Sequence, residues 1–271
     1  MIAPLPPPAD TLERWAWDYV VSTDLAHKLA PPPTPRDVEE GAPVRRIERP
    51  GRPPELVPSD RKFKTPRPGA LKSPDRRAEL LHTFLHHELQ AAELMCWAIL
   101  AFPDTPRAFK AGLAGIARDE VRHMALYREA IVSSGHDVGA FPINDWFWER
   151  VPRVTSAASF VATLGVGFEG ANLDHALRFA ARFRAVGDER GAQIQEQVHA
   201  EEIPHVRFAM RWFTTLTGRD DFAGWAAALP PPLSPLLMRG SPIRREPRLR
   251  AGLSEAFLDD LERWQEHAPG S

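Results

Sequence analysis

From Ser73 onward the apolar positions recur at the three-to-four spacing of helices that bury one face, and turn signals divide the chain into four long segments. Ser73-Pro74, a cap residue followed by proline at the first helical position, opens a helix predicted to reach about Ala101. Thr105-Pro106 repeats the signal for a second helix, which stops at Ser134 and a left-handed cap at Gly135. A third is expected from about Thr155 to Val186-Gly187. The fourth takes Asp188 as cap and runs to Thr217-Gly218, with Pro204 inside it removing one backbone bond and kinking it. Residues 136–154, rich in aromatics, form a long crossover between the pairs and are expected to cover one end of the core. The fold class is all-α, a four-helix bundle made of two helical hairpins.

The flanks are built differently. Sixteen of the 28 prolines lie in residues 1–74, so this part cannot be mostly helix. Thr11 to Lys28 still has helical spacing, with Trp15, Trp17, Val20, Val21 and Leu25 available for docking. From Arg36 to Lys72 the chain reads as an extended basic strap wrapped over the bundle. Its Arg45, Arg46, Arg49, Arg52, Arg61, Lys62, Lys64 and Arg67 would meet surface carboxylates, or else an RNA partner. Beyond Gly218 come a short helix (Phe222 to Ala228), a prolyl run, a basic linker to Arg250 and a closing amphipathic helix from Ser254 to His267. Phe257, Leu258, Leu261 and Trp264 form one stripe of that last helix, suited to the bundle or to a second subunit, which makes a homodimer one expected assembly. The organisation predicted is an extension (1–72), a bundle (73–218) and a closing extension (219–271).

With 271 residues, 43% hydrophobic and 26% charged, the chain is long enough for a substantial core. Its net charge of −2 argues against a nucleic-acid or anionic-membrane binder as a whole. A lone cysteine, Cys96, excludes an internal disulfide and reads as a small buried apolar residue. The N-terminus is too short and prolyl for a signal sequence and no run is long enough to span a bilayer, so the expected location is the cytoplasm, with no membrane partner.

The candidate chemistry lies in Glu-x-x-His, which places a carboxylate and an imidazole one turn apart on one helix face, able to close on a single metal ion. The chain has four copies, beginning at Glu79, Glu120, Glu196 and Glu202. Helical phase, about 100° per residue, separates them. Glu120 and His123 fall in line with Leu113, Ile116, Tyr127 and Ile131, and Glu202 and His205 with Val198, Val206, Ala209 and Trp212. Glu79 falls on the polar side of its helix, and Glu196 is turned about 120° from the apolar stripe. Two further carboxylates are phased inward: Glu88 among Leu81, Phe84, Leu85, Ala91, Ala92 and Met95, and Glu169 among Ala162, Gly165, Val166, Leu173 and Ala176. An unpaired carboxylate in either place would be costly. Glu120 follows Glu88 by 32 positions and Glu202 follows Glu169 by 33. Each hairpin therefore offers one inward Glu and one inward Glu-x-x-His, and four carboxylates with two imidazoles make the ligand set of a dinuclear metal site in a bundle.

At this point the residues resemble a known group. The runs HHELQAAELMCWAILAFPD, DEVRHMALY, GFEGANLDHALRFA and EEIPHVRFAMRWF are similar to a bacterial branch catalogued as domain of unknown function 455, and the two-hairpin pattern resembles the ferritin-like superfamily of di-iron and di-manganese carboxylate proteins. The resemblance implies a ferritin-like bundle with two metal ions, iron or manganese with zinc not excluded. Glu88, Glu120 and His123 would hold one ion and Glu169, Glu202 and His205 the other, with Glu120 and Glu202 bridging. It further implies that Asp119 and Glu201 orient the ligand histidines, and that Tyr127, otherwise plain core, serves near the cluster. Small neighbours around Glu169, against bulky ones around Glu88, suggest a pocket beside the second metal, formed by Gly165, Asn172, Gln195 and His199. His86, His87 and His175 read as surface or capping residues.

The expected function is a dinuclear non-haem iron or manganese oxidoreductase that uses oxygen or peroxide to oxidise a small organic molecule. The alternatives are an RNA-modifying di-iron hydroxylase with the basic strap as its footprint, and a ferroxidase or iron-handling protein, whose closed shell the prolyl extension would obstruct. No catalytic residue beyond the ligands is assigned.

Overall fold

The computed structural model describes residues 5–59 and 67–265. Arg61, Lys62 and Lys64 of the strap and the last residues of the closing helix, to His267, lie outside them. The described residues are helical throughout their regular structure, and the chain divides into two compact units, 1–152 and 153–271. Each unit combines one of the predicted hairpins with the extension nearest to it.

In the first unit, α1 (Leu12–Val21) and α2 (Leu25–Leu29) start at side-chain caps from Thr11 and Asp24. The hairpin is α3 (Pro74–Ala101) and α4 (Arg107–Ser133), the latter ending before Gly135 in the left-handed conformation, φ 84°. α1 packs on α3 and α4, burying Leu12, Trp15, Tyr19 and Val20. As a result α3 is buried on every face from Glu88 to Ala101, the condition of a helix at the centre of its unit.

The strap is held to α3 through its backbone, with Arg45 N donating to Leu100 O at 3.0 Å and Ile47 O accepting from the Trp97 side chain at Nε1, 3.1 Å away. It then closes on α1, where Gly51 N donates to Val20 O at 2.8 Å. A Cβ at Gly51 would lie 2.1 Å from Val21 O, so only glycine passes there.

Two expectations change in this unit. The strap's arginines do not simply meet surface carboxylates: Arg52 reaches the fully buried Glu93, and Arg45 pairs with Glu39 while itself buried. The crossover does not cap one end of the core but runs along α3. Gly139 N donates to His82 Nε2 at 2.9 Å, Asp145 accepts from His86 at 3.0 Å, Phe147 N donates to Gln90 at 3.1 Å, and Trp148 Nε1 donates to Glu93 at 2.8 Å. Successive turns of α3 present polar groups to it, and backbone N–H groups and side chains of the crossover bond to them.

The second unit departs from the sequence reading in its third helix. That helix begins as α5 (Ala157–Phe160), widens into a π-helical stretch Val161–Glu169 and resumes as α6 (Gly170–Arg184). Widening shifts the backbone bonding pattern, and Trp225 Nε1 donates to Ala162 O at 2.9 Å. α7 (Glu189–Thr217) is capped by Asp188, whose Oδ1 accepts from Gly191 N at 2.8 Å, and ends at left-handed Gly218. It continues through the exposed Pro204 as one helix. α7 packs on both the π-helical stretch and α6.

The basic linker also folds, containing α9 (Arg245–Arg250) after α8 (Phe222–Ala227). The closing helix α10 (Glu255–Arg263) lays its stripe on α8 of its own unit, with the Phe257 ring 5.6 Å from Phe222 and 5.3 Å from Trp225. No helix among the described residues is long and apolar enough to cross a membrane.

Candidate metal centre

The inward stripes of α3 and α4 bring Glu88, Glu120 and His123 together: each offers a ligand atom, and these lie within 4.8 Å of one another. His123 Nδ1 stands 3.0 Å from Glu120 Oε2 and 3.9 Å from Glu88 Oε2. All three are buried, Glu120 and His123 completely. Burial alone would push the His123 imidazole down, but the carboxylates of Glu120 and Glu88 outweigh it and hold it up at about 12. Two carboxylates in an apolar wall thus demand positive charge, which a divalent cation would supply more fully than a single proton. The donor spacing suits one: atoms about 2.1 Å from an ion, at right angles to each other, stand about 3.0 Å apart. This group of buried Glu and His could hold a metal ion.

The second unit repeats the pair. On α7, His205 Nδ1 stands 3.0 Å from Glu202 Oε2. Glu169 closes the π-helical stretch that packs on α7, and all three side chains are buried, none exposing more than 6%. Asn172, one turn beyond Glu169 on α6, donates from Nδ2 to Glu202 Oε1 at 3.3 Å. His199 is half-buried, and burial lowers its pKa although it hydrogen-bonds the backbone of Leu173. Gln195 is buried.

The remaining candidates sort by environment. Asp119 is half-exposed and pairs with Arg122 on the surface of α4. Glu201 accepts from Gln197 at 3.0 Å. Tyr127 is buried with its ring 5.8 Å from Phe84, a core packing contact. Gly165 does not border open space: a Cβ there would lie 2.2 Å from Ala209 Cβ. Its small size lets the π-helical stretch approach α7, which replaces the expected role as a pocket wall. The two rejected copies behave as their phase predicts, Glu79 pairing with Arg76 and Glu196 with Arg184 near the surface. His86, expected at the surface, is buried instead against Asp145. Burial lowers its pKa, with Asp145 opposing.

Phase reasoning missed buried ionic clusters, among them one around Glu93 and one around Asp174. Glu93 on α3 accepts from Lys28 at 2.7 Å, Arg52 at 2.5 Å and Trp148 at 2.8 Å, and Arg52 continues to Asp145 at 2.8 Å. Burial pushes Glu93 up, yet Arg52 and Lys28 hold it below the usual carboxylate range. In the second unit Asp174 binds Arg248 at 2.8 Å and the backbone N–H groups of Gly240 and Arg244. Both clusters pin an extension to a hairpin helix.

The family described as "Protein of unknown function (DUF455)" matches residues 12–259, nearly the whole chain. No curated protein and no solved structure matches it.

Proposed function

The chain belongs to this family of proteins of unknown function, and we propose from the site itself that it is a ferritin-like, dinuclear non-haem iron or manganese oxidoreductase acting on a small organic substrate with oxygen or peroxide. In this reading Glu88, Glu120 and His123 serve one ion, and Glu169, Glu202 and His205 serve the other. The observation that carries it is the repeat: the same buried Glu-His pair, with Nδ1 and Oε2 3.0 Å apart, occurs in both units. A chance motif has no reason to recur with its burial, its spacing and its extra inward Glu. Carboxylate donors mixed with imidazole favour iron or manganese over metals that prefer thiolate.

Bound there, redox-active ions would exchange electrons with oxygen or peroxide. The chain's own part is to hold the carboxylates and imidazoles in place and to exclude water with the apolar residues of the inward stripes. An RNA-directed role would draw on Arg45, Arg46, Arg49 and Arg52. Of these, Arg45 and Arg52 are already bound to carboxylates and Arg46 lies 5.3 Å from the Trp97 ring, so two of the four arginines have their charge met within the chain.

The test is the metal content of protein purified from its own host, followed by the optical change when oxygen is added to the reduced form. Two equivalents of iron or manganese and an oxygen-dependent absorption change are expected. Protein without metal, or Glu120→Ala and Glu202→Ala variants that bind as well as the parent, would sink the reading.

A further inference from the structure

Superposing the repeats in sequence, Glu88 on Glu169 and Glu120 on Glu202, exposes a difference between the halves. Asn172 falls on Ala91, Gln195 on Leu113 and His199 on Ala117. The second half thus has three side chains with hydrogen-bonding capacity where the first has aliphatic ones. Asn172 touches a candidate ligand: its Nδ2 donates to Glu202 Oε1 at 3.3 Å, while Glu202 Oε2 faces His205 Nδ1 at 3.0 Å. Both oxygens of this carboxylate are therefore fixed within its own unit.

We propose that Asn172 is a positioning residue that locks the Glu202 carboxylate for the metal of the second half, and so makes the two metal positions unequal. The inference rests on the dinuclear reading above. Its physical basis is that a ligand carboxylate held by a donor from a rigid helix loses less freedom when the ion arrives. Such supporting hydrogen bonds are worth about 10–100-fold in metal affinity. Ala91 has no group with which to do the same for Glu120.

The experiment is a titration of the full-length, metal-free chain with manganese(II), followed by calorimetry and by the electron paramagnetic resonance of free manganese. Asn172→Ala, and Asn172→Leu as a second variant that keeps more of the volume, are compared with the parent. One of the two equivalents is expected to weaken by about 10–100-fold and clearly more than the other, with the metal-free thermal midpoint close to the parent's. Two equivalents that both ignore the substitutions, or both weaken alike, overturn the inference and leave the dinuclear reading standing. A parent that takes up no manganese removes that reading, and the inference with it.

Discussion

Replacing Glu93 by glutamine keeps the volume of the side chain and removes its charge, leaving the wholly buried Lys28 and the nearly buried Arg52 with Asp145 as the one remaining carboxylate of their cluster. Breaking a buried pair from one side costs about 3–5 kcal/mol. An independent bound agrees: Lys28 can escape by losing its proton, and from an ordinary pKa near 10.4 that costs about 4.6 kcal/mol at pH 7. The loss is a large part of a typical stability of about 5–15 kcal/mol. For a unit of this size it corresponds to a fall in melting temperature on the order of 10 °C.

The escape route also fixes the pH dependence. In Glu93→Gln the folded protein binds fewer protons at Lys28 than the unfolded chain does, so its stability rises with pH between the lowered folded pKa and the ordinary one. Urea unfolding at pH 7 and pH 9 should show the deficit shrinking by up to about 2.7 kcal/mol. Adding Lys28→Met to Glu93→Gln should recover part of the loss, because the buried ammonium is gone. If Glu93→Gln lies within about 1 kcal/mol of the parent at pH 7, below the penalty for an unpaired buried charge, or its deficit is the same at both pH values, the reasoning is refuted.

His82 gives an acid limit. Burial, with His86 adding to it, lowers its pKa to about 4, so the folded state stays neutral there while the unfolded chain takes a proton below about 6.5. Its contribution is present above pH 6.5 and is lost at about 1.4 kcal/mol per unit as pH falls toward 4. Urea midpoints should fall more steeply over that range for the parent than for His82→Gln, which can still accept from Gly139; equal slopes would count against the assignment. Gly165→Ala should cost about 1–3 kcal/mol through collision with Ala209, and Ala209→Gly in the same chain should return part of it. An unchanged unfolding midpoint would show that the space beside Gly165 is open after all.

What the sequence discloses follows from which arrangements leave a local pattern. Glu120 and Glu202 are legible because a carboxylate in the middle of an apolar stripe has no cheap explanation except a partner, and the repeat supplies one. The same logic fails for Glu93 only because a stripe was assumed. The run Leu89 to Ala101 contains just Gln90 and Glu93 as polar residues, so it has no solvent face, and a helix apolar all round is buried all round. Under that reading Glu93 demands a cation from elsewhere, and the prolyl extension is where the spare basic residues lie. Arg248 left no such signal, because α9 is a single short turn in a basic linker and nothing local separates its buried arginine from the exposed ones. The π-helical widening is equally silent: no spacing within Val161–Glu169 requires it, and the neighbours it meets, Trp225 at Ala162 O and Ala209 beside Gly165, come from distant segments. The phase test survives it because that stretch is apolar on almost every side, so turning its helix changes which neighbour each residue meets and leaves Glu169 buried whichever way it turns.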